Sequence, residues 1–282
     1  MTSLQRYTCK ATLVGLCLAA ASGAYAQVSS INSVIIVTNL FQPPIPGTVF
    51  SSVNAYNAVI SLSEANVGSA GGNGYAQRDA WYFSNNGGIS AYQFQNNNYF
   101  NASFNLTLGG GVTGKDLEAG WLFSNPSGSI GGDLSTTITK GGVVFQGGGP
   151  SYYPFSPAAG GYPGAGGSVP NYTNGQTYAM GLNYVVDPNT GRNAFQYSVN
   201  GQFAASSPGN TYFDLGLGAG PTGSPGSTLG GYFQIQTTGD PLNPNSGTAI
   251  FSAITITSIP EPSSWVLLSA GILPLLLRRR RI

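Results

Sequence analysis

Residues 178–202 read YAMGLNYVVDPNTGRNAFQYSVNGQ and predict two antiparallel β-strands joined by a turn. Segments 182–186 and 194–199 are rich in β-branched and aromatic side chains, which favour strands, and Asp187-Pro188-Asn189-Thr190-Gly191 between them has the composition of a turn. Asn200-Gly201 ends the second strand, because both residue types tolerate the positive φ of a type I′ turn. This part of the chain therefore predicts a β-hairpin followed by a further turn.

Similar patterns recur on both sides of the hairpin, in 33–38, 56–62, 89–95, 102–108, 134–139 and 249–257. Gly, Asn, Pro and Ser separate these segments, and no helical heptad repeat interrupts them. We therefore predict an all-β fold, a β-sandwich or jelly roll over residues 27–259, with Trp81 and Trp121 in its core. The hairpin and the last strand loosely resemble the concanavalin A-like jelly roll, and this resemblance brings no ligand residues with it.

Segment 147–167 has a different composition, with eight glycines and four prolines among Tyr152, Tyr153, Phe155 and Tyr162. Such a segment predicts a long exposed loop rather than a packed element. Its aromatic rings suit either of two roles, stacking on sugar rings or holding the loop against the surface.

Composition excludes several kinds of chemistry. The chain has no histidine, and its two cysteines, Cys9 and Cys17, precede residue 27, so the domain lacks a catalytic imidazole, a thiol, a disulfide and a histidine- or cysteine-ligated metal. Only 7% of the chain is charged, and residues 27–259 carry four basic side chains against eight acidic ones. Four scattered basic residues form no phosphate-binding surface, so we expect no nucleic-acid partner, and we expect neither a metal nor another cofactor.

The first 26 residues have the parts of a secretory signal peptide. Arg6 and Lys10 supply positive charge, residues 11–21 are apolar, and Ala24-Tyr25-Ala26 forms a cleavage site for signal peptidase before Gln27. The apolar run is shorter than a membrane span. Two alternatives fit less well: a lipoprotein leader would need a small residue where Leu16 precedes Cys17, and a core helix would need a polar face.

Residues 260–282 also fall into three ordered parts. Pro260, Glu261 and Pro262 precede an apolar segment, 265–277, which is followed by Arg278, Arg279, Arg280 and Arg281. Extended back to Pro262 and with ends that snorkel, the apolar segment is just long enough to cross a bilayer core as a short helix. The positive-inside rule keeps the four arginines in the cytoplasm. The domain that precedes the segment then lies outside, in agreement with the signal peptide.

These three parts resemble the PEP-CTERM sorting signal of Gram-negative bacteria that make exopolysaccharide. The resemblance implies that an exosortase, an intramembrane transpeptidase, recognises Pro260, Glu261 and Pro262. The domain would then be anchored transiently in the inner membrane and released to the cell surface or the extracellular matrix. A plain membrane anchor with a chance Pro-Glu-Pro is the alternative.

Few residues suggest catalysis or metal binding. Asp116 and Glu118 lie two residues apart, so on a strand they would share a face, as the paired carboxylates of jelly-roll glycosidases do. A third carboxylate in register is missing, because Asp133 lies in a glycine-rich turn. The segment that begins at Asp187 resembles the start of a calcium loop, but Ser198 stands where that loop needs glutamate, which favours a plain turn.

We therefore expect an exported, non-enzymatic protein of the cell surface or matrix, associated with exopolysaccharide and biofilm, with an adhesive or structural role. A lectin-like protein with a carbohydrate site of aromatic and amide side chains is the alternative. A glycosidase based on Asp116 and Glu118 is a third and less favoured hypothesis.

Overall fold

The computed structural model describes residues 28–38, 45–68, 75–94, 98–112, 117–124, 142–146, 151–155, 174–203, 211–214 and 228–259. These ranges contain one short 3-10 helix, Val28–Ser30, and fourteen β-strands. The strands are β1 (Ser33–Val37), β2 (Val49–Ala55), β3 (Val59–Val67), β4 (Tyr75–Ser84), β5 (Phe100–Gly110), β6 (Leu117–Ser124), β7 (Gly142–Gln146), β8 (Ser151–Phe155), β9 (Thr177–Val186), β10 (Asn193–Val199), β11 (Gln202–Phe203), β12 (Phe213–Asp214), β13 (Thr228–Gln236) and β14 (Asn245–Ser258).

Most strands belong to two antiparallel sheets. The four-stranded sheet has the order β1-β4-β13-β6, and the eight-stranded sheet has the order β11-β10-β9-β5-β14-β3-β2, with β12 paired beside β10. Strands β7 and β8 pair separately. Many neighbours in space are distant in sequence, as in a jelly roll, where strands pass between two sheets. The predicted all-β sandwich is confirmed.

Strands β9 and β10 form the predicted hairpin, with Val186 paired to Asn193. The turn is closed by the amide of Asp187, which donates to the carbonyl of Arg192 at 2.8 Å. At the other end of β10, Asn200 and Gly201 have φ values of 50° and 78°. These are the positive values that a type I′ turn requires, so the prediction from Asn-Gly is confirmed.

The core lies between the two sheets and is dominated by aromatic rings. Trp81 in the four-stranded sheet lies 6.0 Å from Phe104 and 5.6 Å from Phe251 in the eight-stranded sheet, measured between ring centroids. Trp121 lies 4.2 Å from Phe104. Both tryptophans are buried, as predicted. Because these rings belong to different sheets, their packing holds the sandwich together.

Three segments differ from their predicted structure. The described part of 89–95 is irregular apart from one bridge residue, because the amide of Tyr92 donates to the carbonyl of Phe83 and turns this segment back onto β4. Residues 56–58 form the turn between β2 and β3, where we predicted the start of a strand. Strand β8 lies inside 147–167, where we predicted a loop; its run of aromatic residues, which favour strands, pairs with β7.

Several predictions concern residues outside the described ranges. These are the signal peptide, the strand 134–139, the remainder of 147–167, and the sorting signal from Pro260 onward. Among the residues that the structure describes, no helix is long and apolar enough to span a membrane.

Candidate functional site

The outer face of the eight-stranded sheet, which points away from the four-stranded sheet, is uncharged. Along β3, β5, β9 and β14, buried residues alternate with residues that are exposed or half-buried, and the latter form this face. On β2, β3, β5, β9, β10 and β14 the face consists of Ser, Thr, Asn, Gln, Gly, Ala, Val and Ile residues. About a quarter or more of an ordinary protein surface is charged, so this composition points to an unusual environment or partner.

One line of polar side chains crosses this face in register. Thr257 of β14 pairs with Asn101 of β5, Asn101 pairs with Asn183 of β9, and Asn183 pairs with Gln196 of β10. We call these four residues the amide row. Within it, Nδ2 of Asn183 donates to Oε1 of Gln196 at 3.5 Å, and Nε2 of Gln196 donates to Oγ1 of Thr211 at 3.1 Å. These bonds orient the amide groups, while Asn101 stays exposed.

A second line of residues lies directly beside the amide row. Thr255, Ser103, Gly181 and Ser198 pair in that order across β14, β5, β9 and β10, and we call them the hydroxyl row. The hydroxyls of Ser103 and Thr255 are 2.7 Å apart. A Cβ at Gly181 would collide with Oγ of Ser198, so the glycine makes room for this hydroxyl within the row. Phe203, 46% exposed, pairs with Ser198 and ends the row.

The second polar feature is a buried carboxyl pair between the sheets. Glu64 of β3 is 1% exposed and Asp79 of β4 is fully buried. Burial, the hydrogen bond to Asp79 and the negative charge of Asp79 together raise the pKa of Glu64 from 4.5 to about 9. Glu64 is therefore protonated at neutral pH, and its proton links the two carboxyl groups.

A third polar feature lies on the outer face of the four-stranded sheet. Nε of Arg78 donates to Oε1 of Gln234 at 2.5 Å, and Nε2 of Gln234 donates to Oε2 of Glu118 at 3.1 Å. The guanidinium carbon of Arg78 lies 5.7 Å from the ring centroid of Tyr232. All four residues are at most 3% exposed. We call them the buried arginine network, which aligns an arginine, an amide and a carboxylate on one sheet.

The structure describes only some of the acidic residues that the sequence analysis singled out. Glu118 belongs to the buried arginine network, whereas Asp116 and Asp133 lie outside the described ranges. The carboxylate of Asp187 accepts hydrogen bonds from the backbone amide of Asn189 at 2.8 Å and the hydroxyl of Thr190 at 2.9 Å, so it stabilises the turn to which it belongs. In the part of the chain that the structure describes, no three acidic, histidine or cysteine residues are grouped to hold a metal ion.

Sequence reasoning missed the amide row and the buried arginine network. A signal for the second was present: Arg78 and Asp79 directly precede the apolar run 80–83, in a chain that is only 7% charged. No comparable signal marks the amide row, since Asn and Gln occur throughout the chain.

Solved structures of both lectins and polysaccharide lyases are similar to this chain. No protein-family model and no curated protein matches the chain. The solved alginate lyase from Corynebacterium sp. is 10% identical, with a TM-score of 0.47 over 83% of this chain and 96% of that one. The carbohydrate recognition domain of Emp47p is 10% identical, with a TM-score of 0.41 over 79% and 94%. Winged bean acidic lectin is 8% identical, with a TM-score of 0.39 over 79% and 99%.

The expectation that the protein is not an enzyme is wrong in view of these comparisons. Alginate lyases, including members of polysaccharide lyase family 7, stand beside lectins among the similar structures. The expectation rested on missing histidines, thiols and a third carboxylate, and catalysis by other side chains does not need them. At these identities the likeness concerns the fold, so no substrate or catalytic residue is transferred to this chain.

Proposed function

We propose that this chain is an exported carbohydrate-binding protein whose binding surface is the amide row with the adjoining hydroxyl row. The observation that carries this proposal is the register of Asn101, Asn183 and Gln196 on an uncharged face. Each amide group both donates and accepts hydrogen bonds, as the hydroxyls of a sugar do. Neighbouring strands are about 4.8 Å apart, close to the length of one sugar ring in an extended glycan. A glycan lying across the strands would therefore meet one amide per sugar.

The composition of the face favours a neutral glycan over an acidic one. On the six strands that form it there is no cation to pair with a uronate carboxylate, whose desolvation would then be uncompensated. The exposed ring of Phe203 offers a stacking platform at the end of the hydroxyl row.

Substitution of Asn183 by alanine is expected to weaken binding of a neutral glycan by about tenfold. The central amide bonds are lost, and each is worth about 0.5 to 1.5 kcal/mol. A glycan array with the 27–259 fragment would identify the glycan, and calorimetric titration would measure the change in affinity. Asn105→Ala is the matched control, because Asn105 lies on the same face of β5 but pairs with Ala179, outside the amide row. Equal losses in both variants, or no selective and saturable glycan, would contradict the proposal.

We also propose that the chain is sorted at its C-terminus by an exosortase. The support is the order of Pro260, Glu261 and Pro262, the apolar segment 265–277 and the four arginines. Two prolines around a lone carboxylate keep the chain extended and outside the helix that follows, so that one charge is presented beside the bilayer.

In a host that carries an exosortase, Glu261→Ala is expected to leave the protein in the inner membrane, while the wild-type chain is released without its arginines. Membrane fractionation with intact-mass analysis measures both. Deletion of residues 278–281 serves as the comparison. Without the cytoplasmic charge, the apolar segment should pass through the membrane, and the chain should be released uncut. A wild-type chain that stays in the membrane with Arg278 to Arg281 attached would show an ordinary anchor instead.

Cleavage of polysaccharide is a second candidate function, and the buried arginine network favours it. Glu118 is a carboxylate held by an amide, and the positive charge of Arg78 in the same network would stabilise negative charge that develops during a reaction. Because these side chains are buried, a substrate could reach them only after a local change of conformation. Chain shortening of a polysaccharide that persists in Asn183→Ala and is lost in Glu118→Gln would support this function.

A further inference from the structure

Strand β2 is an exposed edge of the eight-stranded sheet. It ends the order of that sheet among the strands that the structure describes. Six of its seven residues are exposed, and Phe50 is half-buried. Val49 and Val53 are more than half exposed, at 55% and 53%. Within the described part of the chain, the edge therefore presents backbone groups that no further strand pairs, flanked by apolar side chains.

This edge has none of the features by which natural edge strands avoid pairing. Such strands are short, carry charged residues or proline, contain bulges, or are covered. The sequence of β2, VFSSVNA, has no charge and no proline, and its pairing with β3 runs without a break in register. The other described edges of the two larger sheets differ, because β11 and β12 have two residues each, β1 is partly buried and β6 is largely buried.

We propose that β2 pairs antiparallel with β2 of a second copy of this chain. With the two-fold axis at Ser52, Val53 lies opposite Ser51 of the second copy, and Val49 lies opposite Ala55. On the inner side, Phe50 lies opposite Asn54. Every facing pair is uncharged, so no like charges oppose each other, and the exposed valines gain apolar neighbours. A strand that is compatible with itself in this way suits a two-fold dimer.

The dimer has a consequence for glycan binding, which rests on the function proposed above. A two-fold axis perpendicular to a sheet keeps the outer faces of both copies on the same side. Two amide rows would then face one polysaccharide, and the second contact would form at a high effective concentration. The inferred role is therefore bivalent attachment to a glycan with repeated binding positions.

A disulfide test examines the edge directly. In the full chain with Cys9→Ser and Cys17→Ser, purified in mild detergent, Ser52→Cys supplies a single thiol. Facing residues of antiparallel strands have Cα atoms about 4.5 to 5.5 Å apart, within the range for a disulfide. We expect mild oxidation to convert most of the Ser52→Cys chain into covalent dimer. Asn189→Cys is the control, since Asn189 is exposed in the turn between β9 and β10. Equal dimer yields from both variants would overturn the proposal.

Charge at the edge provides an independent test. Val53→Lys is expected to weaken dimerisation by about tenfold or more, measured by sedimentation velocity over a concentration series. Thr177→Lys places the same charge on the same face but on β9, and should leave dimerisation unchanged. A wild-type chain that is monomeric throughout, or a Val53→Lys chain that dimerises like it, would overturn the proposal. These measurements need no glycan, so a dimer that binds no sugar would support the pairing and contradict the proposed function.

Discussion

Replacement of Trp81 by alanine is expected to lower the free energy of unfolding by about 3 to 5 kcal/mol. Trp81 is fully buried, and its ring contacts Phe83, Phe104 and Phe251 edge to face, with centroid distances of 5.2, 6.0 and 5.6 Å. Two of these partners belong to the opposite sheet. The substitution would therefore open a cavity where the two sheets meet, and the loss approaches the whole stability of many domains.

Equilibrium denaturation of the 27–259 fragment measures this loss. Leu242→Ala is the control, because Leu242 is 94% exposed and its truncation should change stability by less than about 0.5 kcal/mol. Similar stabilities for Trp81→Ala and Leu242→Ala would show that the sandwich core is not where the structure places it.

The domain is expected to lose stability as the pH rises from 4.5 toward 9. The pKa of Glu64 is raised to about 9 in the folded chain, chiefly by burial and then by Asp79, against 4.5 as its ordinary value. Between these values the unfolded chain releases a proton that the folded chain retains, so rising pH favours unfolding. One such proton changes the free energy of unfolding by at most about 1.4 kcal/mol per pH unit.

Glu64→Gln tests this cause, because glutamine keeps the size of the side chain and a donor toward Asp79 but cannot ionise. Denaturant titrations of both chains at about pH 5 and about pH 8 give the pH dependence of the free energy of unfolding. We expect the variant to show a clearly shallower fall in stability and to exceed the wild type at the higher pH. Identical slopes would mean that Glu64 does not hold the retained proton.

The sequence predicted the parts of the fold that depend on local chemistry. The hairpin of β9 and β10 follows from residues that are neighbours in the chain, and Asn200-Gly201 adopts the expected turn. Strands β4, β6 and β13 were not predicted. Their described residues are buried on both faces of the sheet, apart from Gln236 at the end of β13, so the alternation that marks a half-exposed strand is absent from them.

The candidate site could not be predicted from the sequence, for a different reason. Asn101 and Asn183 are neighbours only because β5 pairs with β9 in one particular register, and a shift by one residue would turn either side chain to the other face. Such long-range register depends on packing of the whole sandwich. The burial of Glu64 could have been predicted more easily, because Glu64 lies on the same face of β3 as Ile60 and Leu62, which point into the core.

The site of glycan contact can be measured directly by nuclear magnetic resonance of the isotope-labelled 27–259 fragment. A neutral oligosaccharide selected on the array would be titrated while the backbone and side-chain amide signals are followed. The account predicts saturable shifts of the side-chain amides of Asn101, Asn183 and Gln196 and of the backbone amides of Gly181 and Ser198. Shifts confined to the buried arginine network, or no shift at saturating oligosaccharide, would contradict it.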